Sequence, residues 1–162
     1  MNELLKVLSN NPAFIAFDTK KKGLGNLNIS EEALIVAIKN AEKLDAEINF
    51  VKGDMLDNVF EKYDVIVSNP PYIAEDEQIE DIVKNNEPHL ALYAGVDGLD
   101  CYRKIFKEAK RVLNNKFLIA LEIGCAQKDA ITNLAKETFD NVEVQCFKDM
   151  SLTDRIIFVY NV

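Results

Sequence analysis

The four residues Asn69-Pro70-Pro71-Tyr72 are the part of this sequence best suited to chemistry. They follow Val65-Ile66-Val67-Ser68, a β-branched run that reads as a strand, so they stand just past a carboxyl end, where open α/β sheets bind their ligands. Two consecutive prolines hold the backbone extended and remove two N–H donors, which leaves carbonyl groups to dominate the loop. The Asn69 side-chain oxygen and the Pro70 carbonyl can then accept both hydrogens of a planar –NH2 group, and Tyr72 offers an aromatic face for it to rest on. An amide nitrogen is a poor nucleophile because its lone pair is delocalised into its carbonyl. Two acceptors would fix its orientation and favour the charge that develops as it attacks a sulfonium methyl, and positioning at ~3–3.5 Å would supply much of the acceleration. No strong base is needed beforehand, since the nitrogen's acidity rises as the new bond forms. Pro-Pro after a strand is usually just a rigid turn; the flanking Asn and Tyr make that the weaker account here.

The elements that must position this loop alternate between short apolar runs and helical patterns. Strands are expected near 14–17, 48–52, 65–68, 117–122, 142–147 and 155–160. Met1–Asn11 reads as a short helix stopped by Asn10-Asn11-Pro12, and Thr19–Asn28, with three lysines, Gly23 and Gly25, reads as a loop. Gly23 and Gly25 complete no phosphate-binding pattern. Ser30 is a good helix N-cap, followed by Glu31 and Glu32 in the first turn, and Leu34, Ala37, Ile38, Ala41 and Leu44 fall on one helical face. A short acidic helix is expected over 76–85, a loop from Glu87 to Gly98, a helix ending near Leu113 and another over 127–138. Two strands in succession close the chain, so the fold class is α/β, a mostly parallel sheet with an antiparallel strand near one edge, in one domain over residues 1–162.

Composition narrows the class. The 162 residues carry a net charge of −8 with a pI near 4.7, which argues against a broad nucleic-acid surface. No apolar run reaches the ~18 residues of a membrane span, and the amino-terminal segment lacks the apolar core of a signal peptide. Cys101, Cys125 and Cys146 form no C-x-x-C pair, and His89 is the one histidine, so neither a disulfide framework nor a metal site is expected. Reduced thiols fit a cytoplasmic protein.

The run Asp64–Ala74, DVIVSNPPYIA, resembles the signature strand and loop of the release-factor glutamine methyltransferases. The likeness extends through Ser30-Glu31-Glu32-Ala33-Leu34, Lys39–Leu44, Glu87-Pro88, Gly95-Val96-Asp97-Gly98-Leu99, Leu121-Glu122-Ile123-Gly124 and Asp154-Arg155, covering roughly residues 13–160. Relatives with the same tetrapeptide that act on adenine or guanine amino groups usually lack the Glu-Pro and Gly-x-Asp-Gly-Leu blocks. The resemblance implies a Rossmann-like S-adenosylmethionine-dependent methyltransferase sheet and methylation of a glutamine side-chain amide in a peptide chain release factor. By the same resemblance Asp18 would receive the cofactor's ribose hydroxyls, Asp54 and Met55 would border the adenine, and Asn69 would face both methyl donor and glutamine. Asn69, Pro70 and Tyr72 would be catalytic, with Pro71 completing the substrate-binding loop. Glu122 reads as a carboxylate leading into a helix, with support of the loop as its other role, and His89 as a surface residue.

Two departures qualify this. The family's first strand and Gly-rich cofactor turn have no counterpart here, nor does its amino-terminal helical domain, so the catalytic domain is expected to be incomplete at its amino end. An unpaired gap would lie between the strands ending at Asp18 and Ser68, with exposed edges open to self-association. Thr19–Asn28 would be an extra loop near the ribose site. Two alternatives stay open: an inactive relative that binds a partner through the Asn-Pro-Pro-Tyr face, and a methyltransferase of a nucleic-acid amino group.

Overall fold

The computed structural model describes residues 14–17, 24–28, 31–46, 48–77 and 92–161. Seven strands form one sheet: β1 (Phe14–Phe17), β2 (Leu24–Asn28), β3 (Ile48–Lys52), β4 (Tyr63–Ser68), β5 (Leu113–Glu122), β6 (Glu143–Lys148) and β7 (Asp154–Tyr160), in the order β3-β2-β1-β4-β5-β7-β6. Among the described residues the helices are α1 (Glu31–Lys43), α2 (Asp100–Val112) and α3 (Lys128–Thr138). β2 runs parallel to β3 and β4 parallel to β5, whereas β1 opposes both of its neighbours and β7 opposes both of its own. Five strands therefore point one way, and β1 and β7 oppose them. The expected α/β sheet with a final antiparallel pair is present.

Two expectations are corrected. Leu24–Asn28 is a strand, not part of a loop: it pairs with β1 on one side and β3 on the other, and this ladder outweighs the poor strand propensity of Gly25. The expected gap beside Ser68 is closed, because β1 lies between β2 and β4 with Phe14 opposite Ser68 and Phe17 opposite Val65. The edges of 14–17 and 65–68 are thus paired. The expected amino-terminal helix, Ser30 and most of the acidic helix over 76–85 lie outside the described residues, as do Glu87, Pro88 and His89.

The core is built where α2 and α3 meet the sheet. Tyr102, Ile105, Phe106, Ala109 and Val112 recur at three- and four-residue spacing along α2, and all are fully buried. They meet Ile131 and Ala135 of α3 and Ile66, Ile119, Leu121, Ile157 and Val159 of the sheet in one cluster. Each large side chain so buried contributes about 1.5–3 kcal/mol. Phe106 meets Phe139 edge-on at 5.7 Å between ring centres, and the Tyr102 hydroxyl donates to the Glu122 carbonyl at 2.8 Å, which satisfies its polar end. On α1, Leu34 and Ala41 are buried while Ile38, and Leu44 just past its end, are exposed, so the predicted apolar face is only partly covered. Among the described residues no helix is long and apolar enough to cross a membrane.

Two substitutions test this architecture. Phe106→Ala should cost about 3–5 kcal/mol in chemical denaturation, as for other large-to-small aromatic changes in a core. Ala16→Pro should cost about 1–3 kcal/mol, because a central strand loses a donor and leaves a facing acceptor unsatisfied. An unchanged denaturation midpoint for Ala16→Pro would remove β1 from the middle of the sheet.

Candidate functional site

β4 delivers Asn69-Pro70-Pro71-Tyr72 from inside the sheet, between β1 and β5. Pro70 is buried and Asn69, Pro71 and Tyr72 are half-buried, so the loop is seated against the protein with one side open. Ser68, the last residue of β4, is 3% exposed. Its Oγ is the buried side-chain polar atom without a partner among the described residues. Such an atom costs about 1–3 kcal/mol until a ligand or water meets it. An unpartnered hydroxyl beside an Asn amide and a proline-fixed run of carbonyls is an acceptor-rich site.

Beyond the prolines the chain is tied to the segment before α2. Ile73 N–H donates to the Leu92 carbonyl at 3.0 Å, Ala94 N–H to the Ile73 carbonyl at 2.9 Å, and Glu75 N–H to the Gly95 carbonyl at 3.0 Å. The Gly95–Leu99 block explains itself in this setting. Gly95 (φ 79°) and Gly98 (φ 70°) adopt left-handed conformations, and a Cβ on Gly98 would come within 2.4 Å of the Tyr72 carbonyl. Asp97 accepts from Leu99 N–H at 3.1 Å and from Arg103 at 2.9 Å, which turns the chain into α2. The Arg103 hydrogen bond holds the Asp97 carboxyl down at about 2.

Tyr72 packs its ring on the core, close to Gly124 at the end of β5. Its hydroxyl lies 3.5 Å from the Arg155 guanidinium, which also donates to the Ile123 carbonyl at 3.2 Å and to Asp149 at 3.2 Å. Glu122 sits in the same neighbourhood; burial raises its carboxyl above the ordinary glutamate range while Arg155 opposes that shift. Gln127, at the start of α3, bonds to Tyr72, Gly98 and Gly124 together. Gln127 belongs to no motif of the sequence, and Arg155 is marked there only by its block with Asp154. The only signal for Gln127 was its place three residues past Gly124.

Asp54 and Met55 occupy the turn after β3, at the same end of the sheet as Asn69. Three strand spacings separate β3 from β4, about 14 Å. The turn is fixed by Asp57 N–H donating to the Asp54 carbonyl at 3.3 Å and Leu56 N–H to Glu108 at 2.9 Å. Met55 takes a φ of 55°, a conformation costing about 1–3 kcal/mol for a non-glycine residue. Lys104 bridges Asp54 at 2.6 Å and Asp57 at 3.2 Å. Burial acts to lower the Lys104 pKa, but these two carboxylates prevail and raise it. The Cys101 thiol nearby is pushed up to about 11, first by burial and then by Asp54 and Asp100, so it stays protonated.

Asp18 lies outside the described residues. The strand before it places Phe17 opposite Val65, three residues or about 10 Å from Ser68. β1 itself runs antiparallel to β4. The structure therefore brings Asn69, Pro70, Pro71 and Tyr72 together and places Asp54 and Met55 along the same rim, while Asp18 is outside the described residues.

Comparison with known proteins agrees with this architecture. Solved structures similar in fold include a methyltransferase from Pyrococcus furiosus (22% identity, TM-score 0.57, covering 84% of this chain and 61% of that one). Another is a ribosomal protein L11 methylase from Lactobacillus delbrueckii subsp. bulgaricus (18% identity, TM-score 0.55, covering 83% and 55%). Among curated relatives, the release factor glutamine methyltransferase of Bacillus anthracis is 38% identical over 149 residues, 89% of this chain and 53% of that protein. That of Bacillus subtilis is 38% identical over 148 residues, 88% and 51%. The chain thus spans about half the length of these curated relatives. The model of the methyltransferase small domain matches residues 13–149, a stretch that takes in the Asn69 loop, the Met55 turn and the Gly95 block alike, and the chain belongs to that family.

Proposed function

We propose that this chain is the catalytic domain, over residues 1–162, of a cytoplasmic enzyme that transfers a methyl group from S-adenosylmethionine to a glutamine side-chain amide of a peptide chain release factor. The observation that carries this is the acceptor-rich end of β4: Asn69 and a proline-held backbone beside an unpartnered, buried Ser68 hydroxyl, with no N–H from either proline. Acceptors suit both ligands, a cationic sulfonium and an –NH2 group. The ~14 Å between the Met55 turn and Asn69 suits an elongated ligand, adenine at one end and methyl at the other. Similarity to proteins named release factor glutamine methyltransferase favours glutamine over a nucleobase, and the net charge of −8 also weighs against nucleic acid.

Bound S-adenosylmethionine supplies an electrophilic methyl on a positively charged sulfur. Met55 and Asp54 would hold its adenine end, the Met side chain by adaptable packing. Asn69 Oδ1 and the Pro70 carbonyl would accept the two amide hydrogens and turn the nitrogen lone pair toward the methyl carbon, with Pro71 and Tyr72 shaping the loop around them. With the methyl supplied by the bound cofactor, these two acceptors would hold the nitrogen in line with it and would favour loss of one N–H proton to water as the nitrogen becomes acidic. The strength of the site lies in orientation, which hydrogen-bond acceptors fixed in advance supply without reorganisation.

The direct test is methyl incorporation into a release-factor substrate, located by mass spectrometry on glutamine. Asn69→Ala should lose about 2–4 kcal/mol of transition-state stabilisation, roughly 30- to 1,000-fold in kcat, with calorimetric binding of S-adenosylmethionine changed far less. Equal turnover of Asn69→Ala and wild type would sink the proposed role of the loop, and methyl found on nucleic acid instead of glutamine would replace the substrate.

A further inference from the structure

We infer that Gln127 is a positioning residue that sets the Asn69–Tyr72 loop in its catalytic geometry, an inference that rests on the methyl-transfer reading above. Its side-chain amide is fully used. Nε2 donates to the Tyr72 carbonyl at 2.8 Å and to the Gly98 carbonyl at 3.1 Å, while Oε1 accepts from Gly124 N–H at 3.0 Å. One group thereby joins the catalytic loop, the turn before α2 and the end of β5, three segments far apart in sequence. Only a carboxamide offers two donors on one atom with an acceptor beside it.

The base of this tether is firm. Gln127 N–H donates to the Gly124 carbonyl at 3.0 Å, and the Gln127 carbonyl accepts from Ile131 N–H at 3.0 Å within α3. The surroundings are cleared for it: a Cβ on Gly98 would lie 2.8 Å from Nε2, and one on Gly124 would lie 3.0 Å from Oε1. The loop is also a short lever. Between Asn69 and the anchored Tyr72 carbonyl stand Pro70 and Pro71, each with φ fixed by its ring, so few soft torsions can absorb a displacement. A shift at Tyr72 is passed back to Asn69, and a misplacement of ~1 Å at a reacting group costs about 10²-fold in rate.

The test uses Gln127→Leu and Gln127→Glu in the protein, with methyl transfer to release factor and amide hydrogen exchange as readouts. Gln127→Leu removes all three bonds, and kcat should fall about 10²-fold with KM for S-adenosylmethionine little changed. Gln127→Glu keeps the size and the acceptor but aims a carboxylate at two carbonyl oxygens. Its kcat relative to wild type should therefore be lowest at pH 8 and recover as the pH falls and the carboxyl gains a proton that it can donate. In both variants, exchange should quicken at Tyr72, Ile73 and residues 95–99 while β7 amides keep their protection. A kcat within about threefold of wild type for Gln127→Leu, a flat pH dependence of the Glu ratio, or protection lost equally from β7 would each overturn the positioning role. If the unmodified protein methylates no glutamine, the functional reading fails, and the exchange pattern alone decides whether Gln127 holds the loop.

Discussion

A loop containing two adjacent prolines cannot hold itself in place by its own donors. Pro70 and Pro71 give the loop after β4 its carbonyl-rich character, and the same absence of N–H groups means that anchoring must come from donors elsewhere. Much of the local architecture answers that constraint. Gln127 reaches Tyr72 from the start of α3, Ile73 exchanges bonds with Leu92 and Ala94 of the segment before α2, and Arg155 of β7 stands beside the Tyr72 hydroxyl. The blocks around Gly98, Gly124 and Arg155 look unrelated along the chain. They are neighbours because each supplies room or a hydrogen bond to one short loop.

The same logic separates what the sequence disclosed from what it hid. Val65–Ser68 was plain because β-branched residues before Asn-Pro-Pro have few other uses, and the buried face of α2 follows from the spacing of Tyr102, Ile105, Phe106 and Ala109. Asn69 and Tyr72 were legible as chemistry for the same reason. Gln127 was not, since a polar residue at a helix start has no pattern of its own; its worth lies in three partners brought together by the fold.

Direction was the other thing hidden. Phe14–Phe17 is a strand by composition, but four apolar residues say nothing of which way they run. Spacing held the clue: only residues 18–23 separate β1 from β2. A parallel pair needs a crossover of a dozen or more residues, whereas a short connection makes an antiparallel one. The antiparallel register of β1 leaves β2, ending at Asn28 opposite Lys52, as the parallel strand beside β3.

Charge is distributed in keeping with this division of labour. The rim of the sheet from Asp54 to Asn69 carries acceptors, but they are not equally available. Asp54 is engaged by Lys104, which also reaches Asp57 and lies 3.8 Å from Glu108. That ammonium relieves the repulsion of three carboxylates around the Met55 turn, and because these groups are partly exposed its worth is structural neatness more than stability. At the β4 end, among the described residues, no such cation meets Ser68 Oγ, which stays unpartnered. Among the described residues the carboxylates of the Met55 turn are thus balanced by Lys104, whereas the acceptors where β4 ends are not, a contrast that fits the proposed placing of the neutral adenine at the first and the sulfonium at the second.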